Sequence, residues 1–389
     1  MGEASAMKIA MVSPYDWCSE GGVKTHIRQL AARFRRWGHE VVIFAPASEP
    51  AMVADEVTVM GRPWSIPASG SVARITFSWL SSAVEDALER HRFDVVHLHE
   101  PLMPLLPYHF LQHSQAANIG TFHAARDGGS LLYWYTRPLT RRWFRRLEGK
   151  IAVSPAAAAL ISRYFRGYYN IIPNGIDLEF WGRPYDPIPE LLDGKLNILF
   201  VGRPEKRKGL RYLLRAFAEL RAVRGDVRLV VVGAGDFRRY RKLMAGVPDV
   251  LFAEYVPHEE LPRYHSSAHV FCAPNTGNES QGYVILEALA AGLPVVASNI
   301  PGFAGVISDG VDGILVPPKD HRALAAALNE LLNAPERRRE LREAARRRAR
   351  AFSWEQVAAR VLDYYLRLLD ERAIVERTRA AMQARPSLR

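Results

Sequence analysis

Short apolar runs, each halted by glycine or proline and followed by a helical stretch, recur through this chain and restrict its fold more than any other feature. Ile9-Ala10-Met11-Val12, Val41-Val42-Ile43-Phe44-Ala45, Val95-Val96-His97-Leu98-His99, Ile119-Gly120-Thr121-Phe122 and Lys150-Ile151-Ala152-Val153 form one series. Asn197-Ile198-Leu199-Phe200-Val201, Val227–Val232, Val250-Leu251-Phe252, Val270-Phe271-Cys272-Ala273 and Pro294-Val295-Val296-Ala297 form a second. Runs that are apolar throughout, rather than alternating, suit parallel strands buried on both faces beneath helices. Two such series in 389 residues, with no sequence repeat between them, predict two Rossmann-like α/β domains.

The most informative stretch runs from Asn278 to Ala297 and reads as loop, helix, turn and strand. Val284, Leu286, Leu289 and Ala290 are apolar at near-helical spacing, and Gly292 is a stop. Glu279 therefore precedes the helix, and Glu287 lies about two turns into it. A helix start exposes unpaired N–H groups, so Ser280, Gln281 and Gly282 can hold an anion, with Gly282 letting the backbone approach closely. A carboxylate beside an anion site makes sense if it accepts hydroxyl hydrogen bonds from something attached to a phosphate, as in a nucleotide sugar. The plainer reading of Glu279 and Glu287 is a capping carboxylate and a helix-face charge.

Near the beginning, a strand, the loop Glu20-Gly21-Gly22, a helix to about Trp37 and a second strand make a βαβ unit. Gly21 and Gly22 can bring helix-start amides to a diphosphate, although the pair is not the G-x-G-x-x-G fingerprint. His123 follows a strand at the carboxyl edge, where open α/β sheets bind ligands. His97, His99, His113 and His123 match no metal-ligand spacing, and His97 is expected to pack within the sheet. Arg203 and Lys208 share a loop after a strand, with Gly209 beside them; a guanidinium can grip a phosphate bidentately while an ammonium acts as a point charge.

Composition sets the outer bounds. Two cysteines, Cys18 and Cys272, make neither a disulfide framework nor a metal cluster and suit a reducing compartment. No apolar run approaches the roughly 18 residues that span a bilayer. Met1–Ala6 lacks the features of a signal peptide, and Met7 is an alternative start. A net charge of +11 favours acidic partners: nucleic acid, anionic lipid or a phosphorylated substrate. The arginines of 337–350 read as the solvated face of a helix.

Glu279 and Glu287, eight positions apart around a small-residue helix start, resemble the signature of the retaining glycosyltransferases of family four. That resemblance implies the GT-B fold: two Rossmann-like domains with a cleft between them and a C-terminal helix crossing back. The expected boundaries are 1–172 for the acceptor domain, 173–361 for the nucleotide-sugar domain, and about 362–389 returning to the first, with Asn174-Gly175 at the passage between domains. By the same resemblance Glu279 faces the donor sugar, Glu287 the ribose, His123 the sugar and phosphate from the first domain, and Arg203 and Lys208 the diphosphate. No cofactor and no essential metal are expected, and no Asp-x-Asp motif occurs.

A narrower resemblance, to the phosphatidylinositol mannosyltransferases within that family, rests on Met11-Val12-Ser13-Pro14-Tyr15, Gly70-Ser71-Val72-Ala73-Arg74, His97-Leu98-His99-Glu100-Pro101 and Thr121-Phe122-His123. It implies mannose transfer from GDP-mannose to an inositol phospholipid, with Tyr15, Asp16 and Arg74 facing the headgroup. It also implies a peripheral enzyme on the cytoplasmic face of the plasma membrane. The segment 254–260 lacks the acidic and lysine residues associated there with guanine. Thr140–Arg146 mixes cations and aromatics, as membrane-surface segments do, or else buries Trp143 and Phe144 in the core. The alternatives are a related transferase using another sugar nucleotide, such as UDP-glucose, on a different lipid or polysaccharide, and a basic nucleic-acid-binding protein. The last leaves both glutamates without a purpose.

Overall fold

The computed structural model describes residues 6–68, 71–76 and 81–383; for 64–68 and 71–76 it describes the backbone alone. The first series of apolar runs forms a parallel sheet from β1 (Lys8–Val12), β2 (Glu40–Ala45) and β3 (Thr58–Val59). After a hairpin of β4 (Pro63–Ala68) and β5 (Ser71–Thr76), it continues with β6 (Val95–His99), β7 (Ala117–Phe122), β8 (Gly149–Ala152) and β9 (Asn170–Ile171). The spatial order is β3-β2-β1-β6-β7-β8-β9.

The second sheet comprises β10 (Leu196–Val201), β11 (Val227–Val232), β12 (Val250–Glu254), β13 (Val270–Ala273), β14 (Val295–Ser298) and β15 (Ile314–Val316). Its order is β12-β11-β10-β13-β14-β15, again parallel throughout. Both orders reverse beside their first strand, between β1 and β6 and between β10 and β13. Connections leave in opposite directions there and open a crevice at the carboxyl ends.

The chain passes between domains twice, and the two passages are stitched together. Ile176 N–H donates to Phe352 O at 2.7 Å, and Trp354 N–H donates to Ile176 O at 3.2 Å. Gly175 lies against the Trp354 ring, where a Cβ would come within 2.5 Å of indole carbons. Ser353 accepts from Gln356 N–H at the start of a 30-residue helix, Trp354–Gln383. Its Trp354, Val357, Val361, Tyr365 and Leu368 belong to the apolar cluster of the first domain, with Ile9, Leu30 and Phe34. The helix thus crosses back, and its inward face engages from Trp354 onward.

The aromatic pair of the 140–146 segment turns inward: Phe144 is buried and Trp143 half-buried against the first domain's core. The exposed apolar residues of that helix, Leu131–Phe144, come earlier, at Leu131, Leu132, Trp134, Tyr135 and Leu139.

Candidate active site

The connections that leave the two reversal points meet. In the second domain, β10 runs into Arg203 and a single tight turn, Lys206–Lys208, while β13 runs into the loop 275–282. Because β10 and β13 are neighbours, the two loops lie side by side. Lys208 Nζ donates to Glu279 Oε2 at 2.9 Å and to Oε1 at 3.2 Å, Asn275 Nδ2 donates to Oε2 at 2.9 Å, and Arg207 Nη1 donates to Oε1. Burial alone would raise the Glu279 carboxyl; Lys208 and Arg207 hold it below the usual carboxylate range. Glu205 accepts from Arg203 and Arg207, each at 2.8 Å. Lys208 and Glu279 are therefore in direct contact, whereas Arg203 reaches them through Glu205, with its side chain 60% exposed at the rim.

Glycine makes this close approach possible. Gly209 has φ +71°, and a Cβ there would lie 1.8 Å from Pro274 O, inside the neighbouring loop. Gly282, φ +79°, caps the helix Tyr283–Ala291. Glu287 lies in that helix's second turn, and burial pushes its carboxyl up to about 7 against a weaker opposing pull from Lys208.

The first domain brings its own helix start to the same place. Gly21 precedes helix Gly22–Arg36, and Tyr283 Oη donates to Gly22 O across the cleft at 3.2 Å. A Cβ at Gly22 would meet the Tyr283 ring at 2.8 Å. Two helix N-termini from different domains thus converge on one crevice, each with unpaired amides and positive dipole. The side chains expected beside them bind across the interface instead. Gln281 is buried and accepts from Asn174 N–H at 2.7 Å, and Ser280 Oγ lies 3.0 Å from Ser154 Oγ.

His123 leaves β7 into this crevice. Its Nε2 lies 3.0 Å from His99 Nδ1, and the His26 ring stands 5.0 Å away edge-on. His26 in turn pairs with Asn174 Oδ1 at 2.9 Å. Burial, and then the neighbouring histidines, hold His99 and His123 well below the ordinary range, so both rings are neutral near pH 7. His97 is buried in the sheet between Thr121 and Tyr365, at 2.6 and 2.5 Å. Among the described residues no group of three or more histidine, cysteine or acidic side chains is arranged to hold a metal ion.

Beneath His123 lies a residue that the sequence singled out only as part of a motif. Glu100 Oε1 accepts from His123 N–H at 2.7 Å and from Ala124 N–H at 2.8 Å, and Oε2 accepts from Tyr133 Oη at 3.1 Å. Its backbone is left-handed, φ 49°, which turns the buried carboxylate under the loop. Tyr15 is half-buried beside it; burial, and then the charge of Glu100, raise its phenol.

Asp16 is buried, accepting from Cys18 N–H at 3.2 Å, Ser48 N–H at 2.9 Å and Ser19 Oγ at 3.2 Å, so its carboxylate shapes the loop after β1. Arg74 falls on β5, opposite Ser65, and its side chain lies outside the described residues. Arg207, Glu205, Asn275 and His26 are site residues that the sequence did not single out, while His99 stood out only among the strand-end histidines and Glu100 only within a motif.

The sequence model described as "Glycosyltransferase Family 4" matches residues 20–180, and the one described as "Glycosyl transferases group 1" matches 185–348. A phosphatidyl-myo-inositol mannosyltransferase of Mycobacterium leprae is 37% identical over 366 residues, covering 92% of this chain and 96% of its own. One from Mycolicibacterium smegmatis is 36% identical over 367 residues, covering 92% and 93%. Among solved structures, sucrose-phosphate synthase from Thermosynechococcus elongatus superposes with a TM-score of 0.73 at 24% identity, over 94% of this chain and 100% of that one. A cleft between two parallel-sheet domains, both sequence models and relatives along nearly the whole length agree: the chain belongs to the family-four glycosyltransferases of GT-B fold and is a hexosyltransferase.

Proposed function

We propose that this enzyme transfers mannose, with retention, from GDP-mannose to the inositol of a phosphatidylinositol-type lipid. The observation that carries the reading is the cluster of Lys208, Arg207 and Glu279 set where two helix starts meet. Cations and amides there suit a diphosphate, and a carboxylate already among donors suits the hydroxyls of the attached sugar. Arg203 and Lys208 would bind the diphosphate, and Gly21, Gly22 and the 280–282 backbone would complete its cradle. Glu287 would accept from the ribose hydroxyls and His123 would face the sugar.

As the bond from the sugar's anomeric carbon to the leaving phosphate oxygen breaks, charge gathers on the diphosphate, where preorganised cations are worth most. The acceptor hydroxyl attacks from the same face and gives its proton to that oxygen, so configuration is kept. Tyr15 and Arg74 would face the headgroup from the first domain, with Asp16 holding the loop after β1 that carries Tyr15.

The lipid acceptor draws support from the relatives' names and from helix Leu131–Phe144. Its exposed Leu131, Leu132, Trp134, Tyr135 and Leu139 accompany exposed Arg137, Arg141 and Arg142, the composition of an interfacial helix on an anionic bilayer. No helix among the described residues is long and apolar enough to cross a membrane. Peripheral attachment to the inner face of the plasma membrane fits this composition.

The test is a melting panel with GDP, UDP and ADP, followed by transfer of radiolabelled mannose to phosphatidylinositol vesicles. A shift with GDP and label in the lipid are expected. A shift with UDP alone, or label on no inositol lipid, refutes the assignment.

A further inference from the structure

Two loops, one from each domain, hold each other by a reciprocal pair of hydrogen bonds. Asp127 N–H donates to Asn278 Oδ1 at 3.1 Å, and Asn278 N–H donates to Asp127 Oδ2 at 3.3 Å. The partners are 151 residues apart and belong to different domains. We propose that Asp127 and Asn278 form a clasp that positions the sugar-facing groups of the two domains against each other for transfer; this rests on the function proposed above.

The local backbone is built for the contact. Asn278 sits at φ 56°, a left-handed conformation that asparagine tolerates better than most residues. Gly277, φ +138°, approaches so closely that a Cβ would stand 2.3 Å from Asp127 Oδ2. On the other side, Arg163 Nη1 donates to Asp127 O at 3.1 Å and steadies the tip of the loop.

What the clasp joins gives it a role. His123 lies four residues before Asp127, with its amide fixed on Glu100, so the loop is anchored at its root in the first domain and at its tip on the second. Glu279 directly follows Asn278 and is fixed by Lys208, Arg207 and Asn275. Two rigidly held side chains are therefore joined through one short bridge. Asp127 and Asn278 touch neither reactant; they are positioning residues. On the reading above most of the nucleotide's contacts come from the second domain's cations and helix start, with only Gly21 and Gly22 from the first, so its affinity depends on the clasp less than the chemical step, which needs both domains in register.

Four variants test this: Asp127→Ala, Asp127→Asn, Asn278→Gly and the double Asp127→Ala/Asn278→Gly. Asn278→Gly relieves the left-handed backbone, so loss of activity there is not misfolding. For each, GDP affinity is measured by calorimetry, kcat with GDP-mannose and phosphatidylinositol vesicles, and the radius of gyration with GDP by X-ray scattering. Asp127→Ala and Asn278→Gly each remove one side-chain acceptor and so one of the two hydrogen bonds, lowering kcat several-fold, and the double variant removes both and lowers it by on the order of tenfold. GDP affinity falls by less than kcat in every variant, and the double variant loses more than either single one. Asp127→Asn keeps an acceptor oxygen and recovers most of the rate. With GDP, Asp127→Ala is more extended than wild type.

Unchanged kcat in the double variant, or a loss of GDP affinity equal to the loss of kcat, overturns the clasp. If the wild type transfers no mannose, the functional assignment fails and scattering alone decides: identical radii for wild type and Asp127→Ala overturn the clasp as well.

Discussion

Glu279→Gln isolates the central electrostatic argument, because the carboxylate does two opposite things. Without a substrate it neutralises Lys208 and Arg207, whose side chains are only 14% and 21% exposed; its own is 10% exposed. Removing one partner of a buried pair costs roughly 3–5 kcal/mol. Here Glu205 still holds Arg207, and the cations keep some contact with water, so about 2–3 kcal/mol is expected. For a domain of this size that lowers Tm by roughly 5–10 °C. A bound diphosphate reverses the balance. Beside Glu279 it meets a like charge, worth about 3 kcal/mol per charge pair at ~6 Å and an effective dielectric near 20; beside glutamine it meets an unpaired Lys208 and an Arg207 held by Glu205 alone. GDP should therefore raise the Tm of Glu279→Gln by more than that of wild type and bind it at least tenfold more tightly, while mannose transfer falls on the order of a hundredfold. Thermal unfolding with and without GDP, followed by calorimetry, reads both effects. An unchanged melting point without nucleotide, or a smaller gain with it, would refute the reasoning.

Other outcomes follow from the same geometry. The Glu287 carboxyl, raised to about 7, binds its proton more tightly folded than unfolded, so its contribution is full below about pH 4.5 and is lost as pH rises through 7. Relative to Glu287→Gln, the wild type should lose about 2–3 kcal/mol of stability between pH 5 and 8, read by urea unfolding at each pH. Tyr133→Phe removes the hydroxyl that donates to the buried Glu100; a loss of about 1–2 kcal/mol in stability and a several-fold fall in kcat are expected, from denaturation curves and steady-state kinetics. Trp134→Ser with Leu139→Ser strips two exposed apolar side chains and should leave Tm within about 1 °C while weakening sedimentation with anionic vesicles roughly a hundredfold.

The strands and the crevice were legible because they depend on local pattern. Runs such as Ile9–Val12 and Ile198–Val201 must be buried on both faces, and Gly282 before an apolar helix marks its start. Glu279 and Lys208 stood out through the family resemblance, since two glutamates eight positions apart and an Arg/Lys pair in an arginine-rich chain are weak signals alone. Arg207 did not, since Lys206, Arg207 and Lys208 are three adjacent cations and only the tight turn selects which of them face Glu279. Gln281 reads as an anion ligand, yet its side chain binds the Asn174 backbone, a pairing set by how the domains dock. Glu100 occupies a left-handed backbone that glutamate rarely adopts, so no propensity rule would turn its carboxylate beneath His123.

The returning helix has a consequence for biosynthesis. The first domain's sheet is covered on one side by Trp354, Val357, Val361, Tyr365 and Leu368, and the buried ring of His97 meets its partner hydroxyl on Tyr365. While the ribosome is still translating the second domain, these contacts do not exist, and the emerged first domain carries an open apolar trough. Nascent chains stalled before residue 354 should therefore engage holding chaperones. The half of the protein made first is the half completed last.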